Sequence, residues 1–351
     1  MVSIEQEFWD LTPEGEGVIR YRMRNSHGAE VELTNLGAAV VAIRVPDRKG
    51  ALADVALGYG EAGDYRRDPA NMGKTIGRFA GRIGYGRMEI EGEEIRLEAN
   101  CGRHHLHGGT VGFGNRLWES RVEENRVVME LYSPEGDQGY PAQMQVEAVF
   151  DFDDDNALEI TYRAAADRTT VVNLTNHLYF NLEGEDGGSV LDHELQLNAS
   201  AVCEMNGKQL PTGRLLPVAD SPMDFSAFRP LRPGLASEFN HLDDYDGFDH
   251  PFAVDDWQPN ILREVGWLRS PKSGRTMQIL SSQPCVVVYT GNGLSGGAPR
   301  SRSGRRYEDY DGIALECQNF PDAPNRPEFP SPLLRPGEIY CQKTIYRFST
   351  F

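Results

Sequence analysis

Two residues in the chain have the types and surroundings needed to move protons. His177 lies in Asn173-Leu174-Thr175-Asn176-His177-Leu178-Tyr179-Phe180-Asn181, directly after the β-branched pair Val171-Val172. An imidazole titrates near neutral pH. Four polar side chains share this apolar run, which predicts a cavity where they meet each other, water or a polar ligand. Taken alone, His177 reads as a hydrogen-bonded structural histidine, the commoner fate of a buried polar group. Glu316 follows Ile313-Ala314-Leu315 and so closes an apolar strand. Desolvation there raises a carboxyl pKa and makes it a better base near neutrality.

Three further stretches offer ligand contacts. In Gly77-Arg78-Phe79-Ala80-Gly81-Arg82-Ile83-Gly84, two guanidiniums four residues apart either belong to a surface loop or donate to a ligand. No phosphate-binding glycine loop is present. His104-His105-Leu106-His107-Gly108-Gly109 places His105 and His107 on one side of an extended segment. No Cys, Asp or Glu stands at ligand spacing nearby, so no metal is expected. The paired glycines allow close backbone approach, which fits a sugar or another polyhydroxyl ligand. Asp249, in Gly247-Phe248-Asp249-His250-Pro251-Phe252, is either a turn residue or a grip on vicinal hydroxyls under an aromatic face.

The elements that must position these residues are strands. Val41, Ile43 and Val45 alternate, as do Val127, Met129 and Leu131, and Met144 through Phe152. Met88 and Ile90, then Ile95 and Leu97, flank Glu91-Gly92 as a hairpin. Short strands divided by Gly, Asp and Asn turns predict an all-β sandwich or barrel. Helical turns are expected only near Ala62–Tyr65 and Met223–Phe228. Glycine and proline are dispersed, with no linker, so residues 1–351 read as a single domain.

Composition narrows the function classes. Lys plus Arg number 35 against 53 Asp plus Glu, a net charge of −18. Such a surface repels phosphate backbones, so no nucleic-acid partner is expected. The five cysteines are dispersed, which suits free thiols in a reducing compartment. Residues 1–7 lack the basic region and apolar core of a secretion signal. No apolar run reaches membrane-spanning length. A cytoplasmic location without membrane association is expected.

The ordered motifs Asn35–Ala38, Gly77–Ile83, Leu106–Gly109, Gly136–Pro141, Asn173–Leu182, Gly247–Phe252, Tyr289–Asn292, Leu315–Asp322 and Leu334–Gly337 resemble the aldose 1-epimerase (galactose mutarotase) family. They cover nearly the whole chain. The resemblance implies a large antiparallel β-sandwich with few short helices and the sugar on its concave face. It implies interconversion of α and β anomers of free aldohexoses, with no cofactor. By position, Glu316 becomes the base at the C1 hydroxyl and His177 the acid at the ring oxygen. His107 becomes a charge-stabilising contact, and Arg82, Asp249 and Arg78 become substrate-binding residues. The partner implied is a small-molecule sugar, on a monomer or homodimer. Two departures stand out: Gly81, where the family often has Asn, and Val287, where many members carry Gln. Both remove polar contacts, so looser sugar selectivity is expected. The alternatives are a hexose-phosphate epimerase of the same fold, using a cluster such as Arg300, Arg302, Arg305 and Arg306, and a non-catalytic sugar-binding protein.

Overall fold

Period-two alternation is realised as antiparallel sheets in the computed structural model, which describes residues 2–232 and 237–351. The first five strands, Ser3–Leu11, Gly17–Arg24, Glu30–Thr34, Ala39–Pro46 and Leu52–Asp54, form a meander in chain order. A nine-stranded sheet runs Glu119–Glu123, Arg126–Ser133, Met144–Phe152, Ala157–Ala166, Tyr340–Thr350, Arg275–Ser281, Arg263–Arg269, Glu194–Leu197 and Arg229–Pro230. A six-stranded sheet runs Tyr179–Phe180, Ile313–Gln318, Cys285–Tyr289, Asp249–Ala253, Ala201–Met205 and Pro211–Pro217.

One apolar cluster joins all three sheets. Val31 and Ile43 enter it from the meander, Val146, Ile160 and Tyr346 from the large sheet, and Val286, Val288 and Leu315 from the six-stranded sheet. Each such buried side chain contributes about 1.5–3 kcal/mol of hydrophobic stabilisation. Alternation then decides where the chemistry lies. Leu315 and Cys317 point into this core, so Glu316 and Gln318 point to the opposite face, which is a cleft.

The expected all-β architecture is present, and the Arg87–Ile90 and Glu93–Arg96 strands form the expected hairpin. The acidic turn after Phe152 is held by the Asp153 carboxylate, which accepts from the N–H groups of Asp155 (2.9 Å) and Ala157 (2.8 Å). The α-helix Ala62–Arg66 forms where a helical turn was expected. Met223–Phe228 does not become helical. Met223 and Phe225 are buried while Asp224 accepts from the Ser226 N–H at 3.0 Å, so local side-chain bonding competes with a helix. Among the described residues, no helix is long and apolar enough to cross a membrane.

Candidate active site

Strand register builds the floor of the site. Glu316 lies opposite Val287, and Val287 opposite Pro251, so these three side chains share one face in a row. Asp249 lies opposite Tyr289 in the next row. All of them line a cleft of about 470 Å³, together with Arg82, His107, His177 and Gln318.

The polar run around His177 serves the backbone. Asn173 donates to Ala80 O (3.0 Å) and accepts from the Asn319 N–H (2.8 Å). Thr175 donates to Cys317 O (2.9 Å), Asn176 to Gly73 O (2.9 Å) and Asn181 to Asp311 O (2.9 Å). The expected cavity shared by all these polar groups is therefore not what forms. They clamp the segment between Gly73 and the Ile313–Gln318 strand, and His177 alone of them lines the cleft. Its own N–H donates to Lys74 O at 2.9 Å. That residue's ammonium lies 3.5 Å from Asp68, both side chains being fully buried. Asp68 also accepts from the Tyr59 hydroxyl (2.7 Å) and the Met72 N–H (2.6 Å), which ties down the loop bearing Asn71 on the cleft rim.

His177 Nε2 lies 3.5 Å from Glu316 Oε1. Burial pushes the Glu316 carboxyl up to about 8, and the nearby Asp249 charge adds to this. Burial pushes the His177 imidazole down to about 4, with the Lys74 ammonium acting the same way. The expectation that His177 titrates near neutrality is thus corrected: desolvation removes it from that range. Between about pH 4 and about pH 8 the pair holds one proton, resting on the carboxyl. His177 Nδ1 and Glu316 Oε2 are buried without protein partners.

The three neighbouring histidines disperse. His104 Nδ1 accepts from the Tyr85 N–H (3.0 Å). His105 is buried between Glu98 O (2.6 Å) and the Tyr140 hydroxyl (2.7 Å). His107 alone lines the cleft, its ring centre 5.5 Å from that of His177. The expectation that His105 and His107 share a side fails because His107 is left-handed (φ +52°), which breaks the extended period. His107 Nδ1 accepts from the Gly81 N–H (3.2 Å), and burial holds the ring well below the usual imidazole range. The neutral ring therefore carries its hydrogen on Nε2, as a donor. The glycines after it serve packing, since a Cβ at Gly108 would fall 1.8 Å from Gly77 O.

Arg82 and Asp249 both reach the cleft, where Arg82 bonds the Gln209 side chain. Arg78 does not, which corrects its reading as a substrate-binding residue. It is buried, and its guanidinium donates to Pro141 O (2.8 Å), Ala142 O (3.0 Å) and Ser133 Oγ (2.6 Å). Its two terminal nitrogens are spent on carbonyls and a hydroxyl of the 133–142 loop, and its Nε is buried without a partner. Within the arginine cluster of the phosphate alternative, Arg302 and Arg305 are likewise occupied. Arg302 pairs with Asp54 (2.6 Å) and Arg305 with Asp311 (2.8 Å).

Sequence reasoning left Gln318, Tyr179 and Tyr289 out of the site, although all three line the cleft. The signal for Gln318 was available: it stands two residues beyond Glu316 on one strand, hence on the same face.

Fold and cleft together define an antiparallel β-sandwich carrying a buried carboxyl–imidazole pair, a site built for proton transfer to and from a bound polar ligand. Comparisons narrow this class. The family model for aldose 1-epimerase matches residues 20–347. Galactose mutarotase of Mus musculus is 37% identical over 99% of both chains, and aldose 1-epimerase of Escherichia coli K12 is 35% identical over 96% of this chain and 97% of that one. Among solved structures, galactose 1-epimerase from Lactobacillus acidophilus is 25% identical with a TM-score of 0.87, covering 100% of this chain and 99% of that one. An aldose epimerase homologue from C. elegans is 28% identical with a TM-score of 0.85, covering 99% of each. The chain belongs to the aldose 1-epimerase family.

Proposed function

We propose that this protein is a mutarotase that opens and recloses the ring of free aldohexoses, with Glu316 and His177 as its acid–base pair. The observation that carries this is a carboxyl and an imidazole 3.5 Å apart on the floor of a cleft. Glu316 as carboxylate takes the proton of the C1 hydroxyl while His177 as imidazolium protonates the ring oxygen. The C1–O5 bond breaks, leaving the open-chain aldehyde. The pair is then Glu316 carboxylic acid and neutral His177. Rotation about C1–C2 presents the other carbonyl face, and reclosure returns both protons.

Desolvation favours the uncharged form of both groups. That is both the resting form of the pair and the form reached once the ring is open, so each turnover begins with transfer of the proton from Glu316 to His177, 3.5 Å away. His107 donates its Nε2–H, and Arg82 and Asp249 hold hydroxyls. No step requires a cofactor. The whole chain acts as one domain, in keeping with the apolar cluster shared by all three sheets. The five free cysteines agree with a cytoplasmic location.

A free sugar is favoured over a sugar phosphate. Arg82 is the cationic side chain lining the cleft, against Asp244, Asp246, Asp249 and Glu316. The test is polarimetric mutarotation over a panel of free and phosphorylated aldoses. Acceleration confined to the free sugars is expected. Activity on glucose 6-phosphate well above that on glucose would overturn the reading.

A further inference from the structure

Gln318 is the residue in the cleft whose chemistry remains unspent. It closes the Ile313–Gln318 strand, is 1% exposed and lines the cleft two residues from Glu316. Its Oε1 is buried with no hydrogen-bond partner. Every other buried Asn or Gln among the described residues has at least one protein partner: Asn25, Asn35, Asn173, Asn176, Asn181, Gln283, Asn319 and Gln342. A buried amide is normally satisfied, so an exception that lines a ligand cleft points to a partner that arrives from outside.

The neighbourhood sets what that partner is. Gln318 Nε2 lies 3.4 Å from where a Cβ on Gly81 would stand, and Gly81 has none. Diagonally across the strand pair, beside Glu316, Val287 contributes only an apolar wall. The carboxamide is therefore the neutral polar group on this part of the cleft, offering an acceptor and a donor side by side. A hydroxyl, which donates and accepts, matches both.

On the mutarotase reading above, we propose that Gln318 is a substrate-holding, specificity-determining residue whose carboxamide binds one hydroxyl of the aldose. It takes up the polar contact that Gly81 and Val287 cannot make. Selectivity is then set from the Glu316 strand and is not simply loosened.

The test combines Gln318→Leu and Gln318→Met with polarimetry on glucose, galactose and their monodeoxy analogues. The wild-type enzyme should lose about tenfold in kcat/KM on the analogue lacking the contacted hydroxyl, the effect of one neutral hydrogen bond in a site built for it. Both variants should lose about tenfold on the parent sugars, chiefly through KM. They should no longer distinguish that analogue from its parent. Their melting temperatures should match or exceed wild type, because the amide has no partner in the free protein. Unchanged KM in both variants would overturn the proposal. So would an intact deoxy penalty at every position, or a melting temperature lowered in both. Inactivity of the wild-type protein on every free aldose would instead overturn the mutarotase reading itself.

Discussion

Replacing Glu316 by Gln should make the protein increasingly more stable than the wild type as pH rises from about 4.5 to about 8. The carboxyl is raised from 4.5 to about 8 by burial and by Asp249. The folded state therefore keeps this proton up to about pH 8, whereas the unfolded chain releases it near 4.5. The stability it contributes is intact below pH 4.5 and lost as pH rises through about 8. At about 1.4 kcal/mol per pH unit, the loss is roughly 5 kcal/mol. Glutamine is a neutral isostere and loses nothing over this range. An unfolding entropy of about 2.1 cal/mol/K per residue gives about 0.7 kcal/mol/K for a chain of this length, so the melting temperatures should diverge by about 6–7 °C. Thermal denaturation of both proteins from pH 5 to 9 reads this directly. An offset that stays constant over that range would refute the reasoning, because Glu316 would then titrate alike in the folded and unfolded states.

The rate of mutarotation against pH should be bell-shaped with apparent limits near 4 and 8, belonging to the Glu316–His177 pair as a unit; a stopped-buffer polarimetric profile still flat at pH 9.5 would contradict the one-proton site. Lys74→Met leaves the buried Asp68 carboxylate without its cation. This should cost about 3–5 kcal/mol by denaturant titration, and Asp68→Asn in the same chain should recover most of it. Arg78→Leu should destabilise the fold while leaving KM for sugar near wild type, since its contacts are all structural; a raised KM at unchanged stability would return Arg78 to the substrate.

Much of the fold was legible because alternation maps directly onto strand faces. Leu315, Cys317, Val286 and Val288 face the core for the same periodic reason that Glu316 and Val287 face the cleft. What alternation cannot reveal is the partner of a polar side chain. Arg78 and Arg82 look equivalent in sequence, yet one reaches carbonyls of a loop more than 50 residues away and the other reaches the cleft. The polar run at Asn173–Asn181 read as a ligand cavity because its backbone partners, at Gly73, Ala80 and Asp311, are remote in the chain. The helical reading of Met223–Phe228 failed for a local reason, the Asp224–Ser226 bond. The titration range of His177 was misjudged because complete burial, which sets it, is a property of the assembled sandwich.

The acid–base assignment is tested most directly by the activity of the Glu316→Gln enzyme. The variant keeps the shape of the side chain and its place on the strand, and it removes the group that takes the C1 hydroxyl proton in the proposed mechanism. Polarimetry on freshly dissolved α-glucose and α-galactose should show kcat lowered by about 10²–10⁴, with KM changed little, because the lost interaction belongs to the transition state. Near-normal mutarotation by this variant would contradict the account.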